Sequence, residues 1–464
     1  MPHPDRSPVR SARELALRAL RDVDIKESYA NLALDAHLGK SQLEVRDRAF
    51  ATELVYGVAR RQGTLDWLIE QIAGRPVANI DVWARANLRS ALYQIRYMDR
   101  VPESAAVNEA VELAKRYGHA GVAKFVNGVL RNFLRRQADL PWPTEEKDQI
   151  GNLALTLSFP RWIVATWLQE YGKEGATALM EAANQVPPLT VRVNRLKTNR
   201  EALIERFTTE GITARPTTHS PEGLILDGVG NAAGIEKLKS FKAGLFTVQD
   251  ESSMLVAPVL APKQGWHVVD VAAAPGGKST HIAERMANKG SVVACDLHPH
   301  KIDMIEANAE RVGASIIQGL AADARHLGKL MPGRADAVLV DAPCSGLGTL
   351  SRRPDARWRK QPADVHALAA IQADILEAAA LVLKPGGVLV YSTCTIHPAE
   401  NQELVSQFVA KHPEFQFEPI APFLPTSLRE TAGEAGWIQL LPHVHGTDGF
   451  FIARMRKQGG PVNA

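Results

Sequence analysis

The chain has 464 residues, 45% of them hydrophobic and 23% charged, and a net charge of +3. That length exceeds one ordinary hydrophobic core, so two or three domains are expected. Three cysteines exclude a disulfide framework, no Cys/His cluster has zinc spacing, and no apolar run reads as bilayer-spanning.

The charge is unevenly spread. Residues 1–140 hold 22 lysines and arginines against 17 aspartates and glutamates, +5, while the remainder holds 32 against 34, −2. Lys115, Arg116, Lys124, Arg131, Arg135 and Arg136 follow one another without an intervening acid, which suits a solvated helix face or a nucleic-acid contact. The opening MPHPDRSPVR lacks the apolar core of a signal peptide, and a cytosolic protein with reduced thiols is expected.

From about residue 8 to 140 apolar residues recur at three- and four-residue spacing, as in SARELALRALRDV and DRAFATELVYGVARRQGTLDWLIEQIAG, which predicts an all-α bundle. ADLPWPTEEKD, with Pro141 and Pro143, reads as a linker. Residues 150–245 read as a small α+β unit. There FPRWIVATWLQEYG and REALIERFTTEG are helical, and LTVRVNRLK alternates like a half-buried strand that offers Arg192, Arg195 and Lys197 to phosphates. From 246 to 456 the rhythm is strand, loop, helix, which predicts a parallel sheet with helices on both faces and GFFIARMRK as a last, antiparallel strand.

The first strand of that region ends at Asp270 and runs into Val-Ala-Ala-Ala-Pro-Gly-Gly-Lys278. Gly276 and Gly277 permit a tight turn, and the following helix offers free N–H groups. Gly277-Lys278-Ser279 matches the end of a phosphate-binding loop, the signature of a P-loop ATPase. That motif, however, needs glycine where Ala272 stands. Asp296, Asp323 and Asp341 close successive strands; each alone can be a helix cap, but together they suit a phosphate-free nucleoside pocket, such as one for S-adenosylmethionine.

Two of the three cysteines end strands: Asp341-Ala342-Pro343-Cys344 and Ser392-Thr393-Cys394-Thr395. Carbon 5 of a pyrimidine is a poor nucleophile until a thiolate adds to carbon 6, and a carboxyl at ring nitrogen 3 favours that addition. Cys344, Cys394 and Asp341 provide two thiols and a carboxyl for such chemistry, whereas Cys295, inside a strand, reads as a small buried hydrophobe.

DVAAAPGGKST, CDLHPHKI, VDAPCSGLGTLSRRPDARW, LKPGGVLVYSTCTIHPAEN and DGFFIARM together resemble the motifs of RNA (cytosine-5) methyltransferases of the Nol1/Nop2/Sun family. The resemblance implies a Rossmann-like, S-adenosylmethionine-dependent catalytic domain. It implies Cys394 as nucleophile, Cys344 as the thiol that assists release, and Asp341 and Lys278 beside the target base. It implies cofactor contacts from Ala272, Ala273, Ala274, Pro275, Gly276, Gly277, Lys278, Asp296, Asp323 and Asp341, and no metal. In DNA cytosine-5 methyltransferases a thiol placed like Cys344 is the nucleophile instead. DRAFATELVYGVARR and VNGVLRNF resemble a NusB-like bundle, which ahead of this catalytic domain marks the bacterial Fmu/Sun-type 16S rRNA branch. The substrate so implied is 16S rRNA, naked or in a partly assembled small subunit. A non-catalytic NusB-like RNA-binding or transcription factor is the remaining alternative to the enzyme and the ATPase.

Overall fold

The computed structural model describes residues 8–228 and 232–459, which form two compact units; the first seven residues of the MPHPDRSPVR stretch read above lie outside the described residues. The first unit spans residues up to 185 and takes in 350–360; the second holds 186–349 and 361 onward.

The first unit is all-helical: α1 (Ala12–Lys26), α2 (Ala30–Leu38), α3 (Val45–Ala73), α4 (Val82–Tyr97), α5 (Glu103–Tyr117), α6 (Ala120–Arg136), α7 (Gln149–Thr156) and α8 (Arg161–Ala183). Ser11 and Asp81 start α1 and α4 by accepting from backbone N–H groups that the helix leaves unpaired. Leu15, Leu54, Leu88, Leu130 and Phe133 fill its core. The sequence groups α8 with the neighbouring α+β segment, while its backbone contacts group it with the helices. The segment 350–360, SRRPDARWRK and its preceding leucine, also clusters with them. It comes from among the catalytic motifs yet packs inside the bundle. The Arg357 guanidinium is fully buried, donates to Ser158 O (3.0 Å) and Asn184 Oδ1 (2.9 Å), and lies 3.8 Å from the Phe159 ring centroid.

The second unit contains two sheets. The smaller is antiparallel, in the order β2–β3–β1–β4, from β1 (Leu189–Val193), β2 (Thr213–Pro216), β3 (Gly223–Asp227) and β4 (Phe246–Val248), with α9 (Arg200–Thr209) beside it. The larger comprises β5 (His267–Asp270), β6 (Ser291–Asp296), β7 (Ile317–Ala321), β8 (Ala335–Asp341), β9 (Leu383–Thr393), β10 (Phe415–Phe417), β11 (Trp437–Leu440) and β12 (Phe450–Lys457). Its order is β10–β12–β9–β8–β5–β6–β7, with β11 also on β12. The β7-to-β9 run is parallel and β12 is antiparallel to β9, as GFFIARMRK predicts. Strands such as AVLV and VLVYST are apolar without alternation because helices cover both faces. Among those helices are α10 (Gly277–Arg285), α11 (Pro299–Val312) and α12 (Pro362–Val382). α12 is long and apolar enough to cross a membrane by length and composition, which the sequence reading missed; here Ile375, Leu376, Ala379 and Val382 pack it on the sheet.

Candidate active site

Strand order reverses at β5, which pairs in parallel with β6 on one side and β8 on the other. Open α/β sheets bind ligands outside the carboxyl ends of the strands at such a point. There Gly276 adopts φ +99°, and a Cβ on it would meet Ile305 Cα at 3.3 Å, so conformation and space both call for glycine. Asp270 is buried; Ser279 Oγ donates to its Oδ2 at 2.6 Å, while Oδ1 has no partner among the described residues. Burial pushes the Asp270 carboxyl up to about 7. At the end of β6, Asp296 Oδ1 accepts from His298 N (3.2 Å) and faces Lys301 Nζ (3.4 Å). Asp323 is the least available of the three acids, because Arg325 engages both of its oxygens and holds its carboxyl down at about 2.

The loops at the carboxyl ends of β8 and β9 bring the two candidate thiols together. Asp341 and Ser392 are register partners, so the loops after them start side by side, and Cys344 Sγ lies 3.4 Å from Cys394 Sγ. Lys278 Nζ donates to Asp341 Oδ2 at 2.7 Å, Ser392 Oγ donates to Oδ1 at 2.8 Å, and Lys278 sits 5.2 Å from the Phe450 ring centroid. The hydrogen bond between the thiols splits their acidities. Through it Cys394 is lowered below the ordinary thiol value, with the Lys278 charge adding to the effect, while Cys344 is raised well above it. Of the two thiols, Cys394 is therefore the one that ionises more readily. Cys295 is fully buried inside β6 and pushed up to about 12 by burial, an inert thiol. Backbone contact tightens the pair of loops: Gly348 N donates to Cys394 O (3.0 Å), and Gly449 N donates to Gly348 O (2.8 Å).

Several basic residues offered to phosphate are spoken for. Arg192 is fully buried; it donates to Glu284 Oε1 (2.8 Å), Gly277 O (2.9 Å), Thr280 Oγ1 and Gln249 Oε1, so it braces the start of α10 and meets no solvent. Lys197 Nζ donates to the Ala243 and Arg311 carbonyls. Arg195 pairs with Glu222 but stays half exposed. In the helical unit Arg116 pairs with the buried Glu14, whereas Lys124, Arg135 and Arg136 are exposed. His443 and His445 lie on one short turn, Pro442–His445, and no metal-binding group of acids, histidines or cysteines occurs among the described residues. Sequence reasoning did not single out Gln372, Tyr391 or Glu400, which are buried beneath the thiol loops.

Comparison with known proteins completes the picture. The model of the family described as 16S rRNA methyltransferase RsmB/F matches residues 257–456, the NusB family matches 10–135, and the ferredoxin-like domain of RsmF/B-like methyltransferases matches 159–232. The chain is 41% identical to the probable ribosomal RNA small subunit methyltransferase B of Bacillus subtilis, over 97% of this chain and 99% of that one. This chain belongs to the RsmB/F family. It is thus an rRNA methyltransferase, which sets aside the P-loop ATPase and the non-catalytic RNA-binding factor. The ribosomal RNA small subunit methyltransferase B of Pectobacterium carotovorum is 35% identical over 92% of this chain and 94% of its own length. Among solved structures, the crystal structure of PH0851 superposes with a TM-score of 0.82 at 29% identity, covering 96% of this chain and 98% of that one. NSun6 from Pyrococcus horikoshii with SFG gives 0.56 at 27% identity, covering 65% and 99%. The NusB-like bundle and the Rossmann-like catalytic sheet are those of the RsmB/F family.

Proposed function

We propose that this RsmB/F member methylates carbon 5 of a cytosine in 16S rRNA through a covalent adduct between Cys394 and carbon 6. The single observation that carries this reading is the thiol pair, 3.4 Å apart at the ends of adjacent strands beside the Lys278–Asp341 ion pair. A lone strand-end cysteine is ordinarily packing; two in contact, with their acidities driven apart, fit a nucleophile and an assistant. The Cys394 thiolate adds to carbon 6, and the electron pair of the ring double bond moves towards carbon 5. As that pair moves, ring nitrogen 3 takes up a proton from solvent, and the Asp341 carboxylate, kept in place by Lys278, accepts a hydrogen bond from the resulting N–H. Release then passes the carbon 5 proton to solvent, turns its bonding pair into the ring double bond and returns the sulfur's electron pair to Cys394, while nitrogen 3 gives up its proton and Cys344 assists. S-adenosylmethionine, when bound, supplies the methyl group.

The residues fit that cofactor. Asp270 Oδ1 is a buried acceptor with no partner among the described residues, and the cradle Ala272, Ala273, Ala274, Pro275, Gly276 and Gly277 leads into a helix amino terminus. Asp296 stands where ribose hydroxyls are usually held, and Asp323 lies on the neighbouring strand end. The P. horikoshii NSun6 structure contains SFG, an S-adenosylmethionine analogue, which supports the same ligand here. A target base must leave its stack to reach a thiolate in such a site.

The deciding experiment uses S-adenosylmethionine and 16S rRNA and looks for a denaturation-resistant protein–RNA band. Cys344→Ala accumulates the band and Cys394→Ala abolishes it; the reverse pattern makes Cys344 the nucleophile. For RNA contact, reversing the charge of Lys124, Arg135 and Arg136 lowers affinity and flattens its salt dependence, by about 0.7 in log–log slope for each phosphate no longer neutralised on single-stranded RNA. An unchanged slope removes that surface from the reading.

A further inference from the structure

We propose that Gln372 and Glu400 are positioning residues for the release thiol: together they clamp the backbone on both sides of Cys344. The inference rests on the release role proposed for that thiol.

Gln372 lies on the sheet-facing side of α12, among alanine, leucine and isoleucine, and is fully buried. Glu400, in the turn Pro398–Glu400 after β9, is fully buried too. An amide and a carboxylate in such surroundings persist only if their hydrogen bonds are made. Those bonds run to one place. Gln372 Nε2 donates to Pro343 O and to Glu400 Oε1, each at 2.9 Å. Glu400 Oε1 accepts from Ser345 N at 2.8 Å and Oε2 from Ser345 Oγ at 2.5 Å. Pro343 and Ser345 are the two neighbours of Cys344, so the pair grips the chain immediately before and immediately after the thiol.

Two further contacts tie the clamp to the nucleophile. Ser345 Oγ lies 2.7 Å from Thr395 Oγ1, the side chain next to Cys394. Tyr391 OH bridges Gln372 Oε1 (3.1 Å) and Glu400 O (2.7 Å) from β9, the strand that ends at Cys394. The clamp touches neither Asp341 nor Lys278, whose own partners are each other and Ser392. The Lys278–Asp341 pair therefore has its own supports, while the backbone on both sides of Cys344 depends on this one. In release the carbon 5 proton passes to solvent, its bonding pair becomes the ring double bond, and the carbon 6–sulfur bond breaks with its pair returning to Cys394. A thiol that assists must stand beside carbon 5 at that moment, and a displacement near 1 Å costs on the order of 100-fold in rate.

The test measures three quantities on the full chain with 16S rRNA and S-adenosylmethionine: affinity for the cofactor, the single-turnover rate of adduct formation, and the steady-state fraction of protein in the denaturation-resistant RNA band. The variants are Gln372→Leu, Glu400→Ala, Glu400→Gln and Ser345→Ala. We expect Gln372→Leu and Glu400→Ala to bind cofactor and form adduct like the parent but to release it about 10- to 100-fold more slowly, so that the band accumulates. Glu400→Gln keeps an acceptor facing Ser345 N and Gln372, and releases faster than Glu400→Ala. Ser345→Ala removes only the hydroxyl contacts and accumulates an intermediate amount of band, which keeps the test decisive if a larger change unfolds the protein. Parent-like release in Ser345→Ala and Gln372→Leu overturns the clamp, and so does parallel loss of cofactor affinity and adduct formation in Ser345→Ala, which would mark a general packing role. Cys344→Ala is the control that separates the two ideas. If it fails to accumulate the band, the release role of Cys344 falls; if it accumulates and the clamp variants do not, only the clamp falls.

Discussion

At the scale of single residues the site works by dividing charge. Cys394 is the more acidic thiol because of its hydrogen bond with Cys344 and because Lys278 lies near. Lys278 is itself held charged: burial opposes its ammonium, but the Asp341 carboxylate outweighs burial and raises it. Replacing Lys278 with Met should raise the apparent pKa for alkylation of Cys394 in the absence of RNA. Alkylation followed against pH checks this, and an unmoved profile would remove Lys278 from the tuning of the thiol. Asp270 makes a second prediction, of opposite character. Its folded carboxyl titrates near 7, far above its usual range, because burial disfavours the anion. The neutral form thus favours the folded state; its contribution is complete below the unfolded pKa of about 4 and is lost as pH rises through about 7. Asp270→Asn should flatten the fall of melting temperature between pH 4 and about 7; an unaltered slope would assign that fall to other groups. Cys344, Cys394 and Asp341 could be brought together from sequence because residues at or just after strand ends of a parallel sheet face the ligand crevice whatever packs around them, whereas Lys278, in the first turn of α10, was pointed to by the family resemblance. Sequence misjudged Arg192 because alternation along a strand says which residues share a face, and not whether a second element will cover that face; here α10 does, through Glu284. Gln372 and Glu400 were invisible for a related reason. A glutamine in a helix and a glutamate after a strand look solvated until the fold closes over them.

At the scale of elements, the central strands were readable from unbroken Val/Ile/Leu runs, and the helices that alternate with them from their period. The three-residue β10 and four-residue β11 were not, since pairing with β12 makes them strands where their own pattern is too short to do so. The same dependence on a partner decides how the thiol loops meet. Gly348, four residues beyond Cys344, touches the turn before β12, and a Cβ placed on it would lie 1.9 Å from Gly449 O. No side-chain rearrangement relieves an overlap with backbone. Gly348→Ala should therefore push apart the Cys394 carbonyl and the Gly449 turn, costing about 1–3 kcal/mol in chemical denaturation. It should also slow thiol alkylation less than it slows adduct formation, because it shifts loops and leaves the Lys278 charge in place. A variant as stable as the parent would show that the two glycines separate without cost.

At the scale of the whole molecule, the chain order and the spatial order differ. The segment 350–360 follows the Cys344 loop and precedes α12, so covalent continuity places it among catalytic motifs, but its side chains complete the helical unit. Asp355 Oδ2 accepts from Ala30 N (2.9 Å) at the start of α2, and Trp358 Nε1 donates to Ala59 O (2.9 Å) on α3. Arg357 satisfies Ser158 O and Asn184 Oδ1 with no carboxylate hydrogen-bonded to it among the described residues, and burial lowers its pKa well below the ordinary arginine value. A guanidinium is chosen there for its planar fan of donors, which reaches several acceptors at once where an ammonium reaches few. Arg357→Met keeps the bulk and removes the donors, leaving buried acceptors whose missing bonds cost about 1–3 kcal/mol each. The expected result is a less stable helical unit with faster amide exchange at Ala30, whose N–H depends on the neighbouring Asp355, while exchange in β5 and β8 of the second unit keeps its parent rate. Hydrogen exchange read by mass spectrometry distinguishes the two regions. Equal acceleration in both would mean that the units unfold as one, and parent-like exchange at Ala30 would mean that the strap holds without its arginine.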